Sequence, residues 1–221
     1  MNVTLPTVTT TDGVSTLSLP ALPVASDDPQ ASEYAMVLAD GIDAAAPATC
    51  GWVVDVQGNL GGNMWPMLSG VSALLPEGPV MFFRDRAGED TAVTVQEDGA
   101  GTEGMTFVSV GPRTQRDGAP IAVLQDRSTS SSGEAVLAAF RGLPNARSFG
   151  QSSSGYGSGN ATHVLSDGSR LTLTAAEFVD RGGEVLGDRP VDPDLPIRRD
   201  GGGGTDAAQA AAAWLRERGC F

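Results

Sequence analysis

The sequence predicts a single α/β domain, and three observations predict it. Apolar runs of strand length alternate with segments whose apolar residues recur at helical spacing. One run, Gly51-Trp52-Val53-Val54-Asp55-Val56, is apolar almost throughout, as in a parallel strand covered on both faces. The 221 residues, 40% hydrophobic and 19% charged, suffice for one sizeable core. The chain shows no internal repeat.

In chain order, Val14-Ser15-Thr16-Leu17-Ser18-Leu19 alternates apolar with polar residues and predicts a half-buried strand within a Thr-, Val-, Leu- and Pro-rich first segment, residues 1–25. Asp27-Asp28-Pro29 offers a capping carboxylate and a proline for the first turn of a helix that carries Tyr34, Val37, Leu38 and Ile42 and ends between Ala44 and Pro47. After the Gly51–Val56 strand comes a glycine-rich turn, Gly58-Asn59-Leu60-Gly61-Gly62-Asn63, then a helix through Met64, Met67, Leu68, Val71 and Leu75. Val80–Phe83 and Thr91–Val95 read as strands, residues 97–104 and 111–119 as loops with Thr106–Val110 between them, and Ile121–Leu124 as a buried strand. Ser128–Ser132 leads into a helix through Val136, Leu137 and Phe140. Residues 148–160 read as a flexible loop. Asp167-Gly168 predicts a two-residue hairpin turn joining Thr162–Leu165 to Arg170–Thr174. The body of the domain thus spans 26–200, followed at 201–221 by a linker, Gly201–Gly204, and an alanine-rich helix that Thr205 would cap and that runs through Trp214 and Leu215.

Composition excludes several functions. The net charge of −13 argues against nucleic-acid and anionic-membrane partners. All 14 basic residues are arginine, so no internal lysine can serve as a base or Schiff-base former. His163 is the one histidine, and two cysteines, Cys50 and Cys220, are too few for a dense zinc site; no metal or other cofactor is implied. Two small half-buried thiols is the simpler reading of the cysteines, with pairing left open. No apolar run is long enough to span a bilayer. Met1–Pro6 has neither a basic start nor an apolar block, which predicts a cytoplasmic address for the chain taken as complete and a secreted or cell-envelope address if a signal-bearing segment precedes it.

Two strand–turn–helix junctions carry the chemistry: Val56 into Gly58–Asn63, and Leu124 into Ser128–Glu134. At such junctions free backbone N–H groups and the positive helix end can hold a developing negative charge, as acyl transfer to a serine requires. Each junction has a simpler reading. Ser131-x-x-Glu134 matches a capping box, and glycines make tight turns. Phosphate binding is disfavoured, because the first turn lacks both a Gly-Lys-Ser/Thr ending and dinucleotide-fingerprint spacing.

The segment Val53–Asn63 resembles the D-L-R-x-N-x-G-G segment of the S41 family of C-terminal-processing, tail-specific serine peptidases, with Gln57 where arginine is usual. Asp126–Glu134 resembles that family's T-A-S-A-S-E or T-x-S-S-G-E segment. Gly150-Gln151, Leu165-Ser166-Asp167-Gly168 and Pro193-Asp194 are similar to later family segments, in the same order. The resemblance implies a ClpP/crotonase-like fold with a mixed, mostly parallel sheet and flanking helices. It also implies a Ser131 nucleophile, an oxyanion hole from Ser132 N–H and Gly61 or Gly62 N–H, and peptide or protein substrates.

Departures concern the general base. Tyr156 falls where many family members carry lysine, and tyrosine titrates too high to act as a base near neutrality. A tricorn-like branch uses an upstream histidine and a later glutamate, yet no histidine precedes Ser131. His163, on the hairpin face opposite Leu171 and Leu173 in the two-residue-turn register, reads as a surface residue rather than a base. Glu184, near the position of that branch's glutamate, reads as a solvated loop carboxylate. Three functions follow: a serine peptidase, a truncated or inactive homologue that binds peptides without cutting them, and an acyl-thioester enzyme, which the lack of a basic patch disfavours.

Overall fold

The computed structural model describes residues 3–197 and 206–220. Among the described residues the chain forms two six-stranded sheets. The first has the order β1 (Thr7–Thr11), β2 (Val14–Ser18), β3 (Gly51–Asp55), β8 (Ile121–Gln125), β9 (Ala146–Gly150) and β12 (Leu195–Pro196). Only β1–β2 is antiparallel in it; every later pair is parallel. Alternate residues of β3 and β8 serve different layers. Trp52, Val54, Ile121 and Val123 join the main core, while Val53, Ala122 and Leu124 join a second cluster on the other face. Both faces are covered, which is why these strands are apolar up to their last residues, Asp55 and Gln125.

Helix α1 (Pro29–Ala45) starts where expected: the Asp28 side chain accepts the Gln30 N–H, with Pro29 in the first turn. It buries Tyr34, Leu38 and Ile42. Helix α2 (Met64–Gly70) is shorter than the sequence suggests and passes into a 3-10 turn, Ser72–Leu74. Helix α3 (Ser132–Phe140) is buried along its whole length. Helix α4 (Ala207–Glu217) lies on the other face, placing Ala211, Trp214 and Leu215 against Val53, Leu124 and Phe149. The expected Gly201–Gly204 linker and the Thr205 cap lie outside the described residues; the cap observed is Asp206, whose side chain accepts the Gln209 N–H. Cys50 and Cys220 are not separate thiols. They form a disulfide, with Cα atoms 5.5 Å apart, that fastens the end of the α4 segment to the start of β3.

The second sheet, which the sequence did not predict as a separate layer, is antiparallel throughout. Its order is β10 (Ser158–Val164), β11 (Arg170–Asp180), β4 (Gly78–Asp85), β5 (Asp90–Gln96), β6 (Gly99–Thr102) and β7 (Met105–Ser109). Residues 97–104 are therefore not all loop. β6 has no apolar alternation because its glycines admit β7: a Cβ at Gly101 would overlap the Met105 carbonyl. Likewise 148–160 is loop only in its middle, between β9 and β10.

The hairpin register also differs from the expectation by one residue. Leu165 N–H bonds Ser169 O and Gly168 N–H bonds Leu165 O, so the loop is three residues, Ser166–Gly168, with Gly168 at φ 84°. The Asp167 carboxylate, which accepts both the Ser169 N–H and its hydroxyl, favours this turn-plus-bulge form. His163 consequently pairs with Leu171 and shares its face instead of opposing it.

Candidate active site

Both strand–turn–helix junctions lie at the C-terminal ends of adjacent parallel strands, β3 and β8. The two turns are laced together. Gly58 N–H donates to Asp126 Oδ1 at 3.0 Å, Ser130 N–H to Asn59 O at 2.9 Å, and Ser132 Oγ to Gly62 O at 2.6 Å. Asp126 also accepts the N–H groups of Ser128 and Thr129. Where β3 ends, burial pushes the Asp55 carboxyl above its ordinary range; the Gln57 N–H opposes that shift, and nearby Asp126 adds to it.

Ser131 precedes α3 at φ 51° and ψ −112°. Its N–H donates to Glu134 Oε2 at 2.8 Å, the return half of a capping box in which the Ser131 side chain faces the Glu134 N–H. A hydroxyl that only accepts in such a box keeps its own proton and one lone pair uncommitted. Gly61 permits this approach, since a Cβ there would lie 2.8 Å from Ser131 Cβ and 3.3 Å from its Oγ. Gly61 and Gly62 both hold left-handed backbone, at φ 99° and 118°.

The structure separates the two glycines. The Gly61 N–H donates to Asn59 Oδ1 at 2.8 Å. Among the described residues, the N–H groups of Gly62 and Ser132 have no hydrogen-bond partner. Gly62, Ser131 and Ser132 all line one open groove of about 720 Å³, between the end of the parallel sheet and the inner face of the antiparallel one.

Two residues at this site were not read as functional from the sequence. Asn59 is fully buried; its side chain accepts from Gly61 and donates to Leu19 O at 2.8 Å, which shapes the turn. An asparagine two residues before a glycine is an Asx-turn signal that marks it. Glu134, also fully buried, accepts from Ser131 N–H, Ser153 Oγ, Gly155 N–H and Tyr156 N–H. The capping-box spacing indicated only the first of these.

The other candidates lie elsewhere. Tyr156 is 65% exposed and lines a different surface depression with Arg127 and Ser154. His163 is exposed on the β10–β11 hairpin and is not among the groove-lining residues. Glu184 pairs with Arg141 at 2.6 Å, its side chain 62% exposed. Among the described residues, no cluster of three or more potential metal ligands occurs and no helix is long and apolar enough to cross a membrane.

Comparison with known proteins adds three similarities and a family. The model of peptidase family S41 matches residues 30–197. The chain is 33% identical over 204 residues to a nisin-resistance protein of Lactococcus lactis subsp. lactis, covering 92% of this chain and 61% of that protein, so it spans about three fifths of that relative's length. A solved lipoprotein from Streptococcus agalactiae superposes with a TM-score of 0.78 at 27% identity, over 98% of this chain and 71% of that one. The photosystem II D1 C-terminal processing protease shares the fold, with a TM-score of 0.58 at 20% identity over 83% of this chain and 42% of its own.

Proposed function

The chain belongs to peptidase family S41, and from that premise and the surroundings of Ser131 we propose that it works as a serine-type peptidase. The observation that carries the reading is the groove-lining Ser131 hydroxyl beside two unpartnered N–H groups, those of Gly62 and Ser132. Ser131 Oγ attacks the peptide carbonyl carbon, and the carbonyl π electrons move onto oxygen, where the Gly62 and Ser132 N–H groups receive the charge. Collapse expels the amine and leaves an acyl-serine, which water hydrolyses. Gly61, with its N–H engaged by Asn59, acts through the space it leaves for Ser131.

The proton of Ser131 needs an acceptor, and no histidine or lysine lines the groove. In this reading the base comes from a segment outside these 221 residues or from a partner subunit. Nisin is a first substrate to test, because a relative at 33% identity is named for resistance to it.

The same lack of a base favours a second reading, a groove that holds peptides without cutting them. A fluorophosphonate probe on the full-length protein separates the two. Labelling that disappears in Ser131→Ala supports the peptidase. A folded protein that resists the probe, binds peptides, and binds them equally well as Ser131→Ala supports the binding module and removes the peptidase.

A further inference from the structure

The groove beside Ser131 has no ionisable side chain in its wall among the described residues, although the chain carries 27 acidic residues and 14 arginines. Strand alternation explains how that neutrality arises. Phe83 of β4 pairs with Thr91 of β5 and with Phe178 of β11, so these three share the groove face. The next residues along, Arg84, Asp90 and Glu177, are mutually paired in register and point to the opposite face. There Arg84 and Asp90 form a two-pronged ion pair at 2.7 Å. Charge is thus carried on the outer face of the sheet, and the inner face is left apolar and hydroxylic.

Aromatic rings then join the two walls. Trp65, three residues beyond Gly62, meets Phe83 edge-on with ring centroids 6.2 Å apart, and Phe83 meets Phe178 at 5.5 Å. Phe107 stacks on Trp65 with ring centroids 4.5 Å apart, which steadies the indole. Trp65 and Phe83 are only half-buried, so ring surface remains open to an occupant. A lysine or glutamate side chain entering this wall would lose water with no counter-charge to meet it, whereas an apolar one would gain contact.

We propose that this wall, with Trp65 and Phe83 as its determinants, selects an uncharged apolar side chain of the peptide beside the bond presented to Ser131. The inference rests on the peptidase reading only for calling that bond scissile; the selection applies equally to a peptide that is held uncut.

The test uses full-length Ser131→Ala protein and matched peptides that differ at one position, carrying Leu, Phe, Lys or Glu. Leu and Phe peptides should bind at least about tenfold more tightly than Lys or Glu peptides. Trp65→Ala should erase that preference. Thr91→Glu, at an exposed strand position where folding is not at risk, should improve binding of the Lys peptide and worsen that of the Glu peptide by about tenfold each. Equal affinities across the four peptides, or a folded Thr91→Glu protein with unchanged selectivity, overturns the proposal. Wild-type protein that cleaves all four alike refutes selection and leaves the peptidase standing; selective binding without cleavage leaves selection standing and refutes the peptidase.

Discussion

Ser131 holds a backbone conformation, φ 51° and ψ −112°, that a residue with a side chain adopts only when its surroundings impose it. Glu134 is what imposes it. One carboxyl oxygen takes the Ser131 and Tyr156 N–H groups at 2.8 and 2.7 Å, and the other takes the Gly155 N–H and the Ser153 hydroxyl. A single buried side chain therefore fixes both the start of α3 and the loop that runs past it. Glu134→Gln keeps the size but turns an N–H2 toward two of those donors, and should cost roughly 2–3 kcal/mol in urea unfolding. Glu134→Ala strands all four donors and should cost roughly 3–5 kcal/mol. Because Glu134 is a positioning residue, the folded Gln variant should also react more slowly with a fluorophosphonate at full occupancy of the native state. Unchanged stability and unchanged labelling in Glu134→Gln would show that the carboxyl does not hold Ser131.

Elements whose neighbours are encoded locally were legible in the sequence, and those defined by a distant partner were not. The Asp28-Pro29 start of α1 and the Gly51–Asp55 run of β3 carry their own signals, a cap and a two-sided apolar run. The Ser131 and Gly62 junctions were legible for the same reason, each being a turn between a strand and a helix. β6 had no such signal: Gly99-Ala100-Gly101-Thr102 is a strand because it pairs with β5 on one side and β7 approaches its glycines closely on the other. The hairpin register was missed because three loop residues, not two, satisfy the Asp167 side chain. The steric account of β6 is testable against a control. Gly101→Ala places a Cβ onto the Met105 carbonyl and should cost about 2 kcal/mol or more. Gly104→Ala, at φ 78° in open space, should cost only about 1 kcal/mol from backbone strain. Similar losses in the two variants would mean that close approach does not define this strand.

At the scale of the whole molecule, the parallel sheet separates two different dependencies. On one face, α1, α2, α3 and the antiparallel sheet form the main core, and all of these but α1 border the groove. On the other face, α4 covers Val53, Ala122, Leu124 and Phe149, and the Cys50–Cys220 disulfide holds it there across a separation of 170 residues. Nothing local in the sequence could announce that pairing, since the two cysteines meet only once the sheet and α4 exist. Closing so long a loop restricts the unfolded chain strongly, and loss of the bond should cost roughly 2–5 kcal/mol, a fall in Tm of roughly 5–15 °C. None of the residues in that second cluster lines the groove. Cys50→Ser/Cys220→Ser protein should therefore melt earlier, and lose hydrogen-exchange protection in α4 and β9 first. Below its new transition it should still react at Ser131 and bind peptides as the disulfide-bonded protein does. An unaltered Tm would mean that the packing of Trp214 and Leu215 holds α4 without help from the bond. A loss of Ser131 reactivity in the cold, with the main core intact, would mean that the two faces of the sheet are coupled and that α4 helps to shape the site from behind.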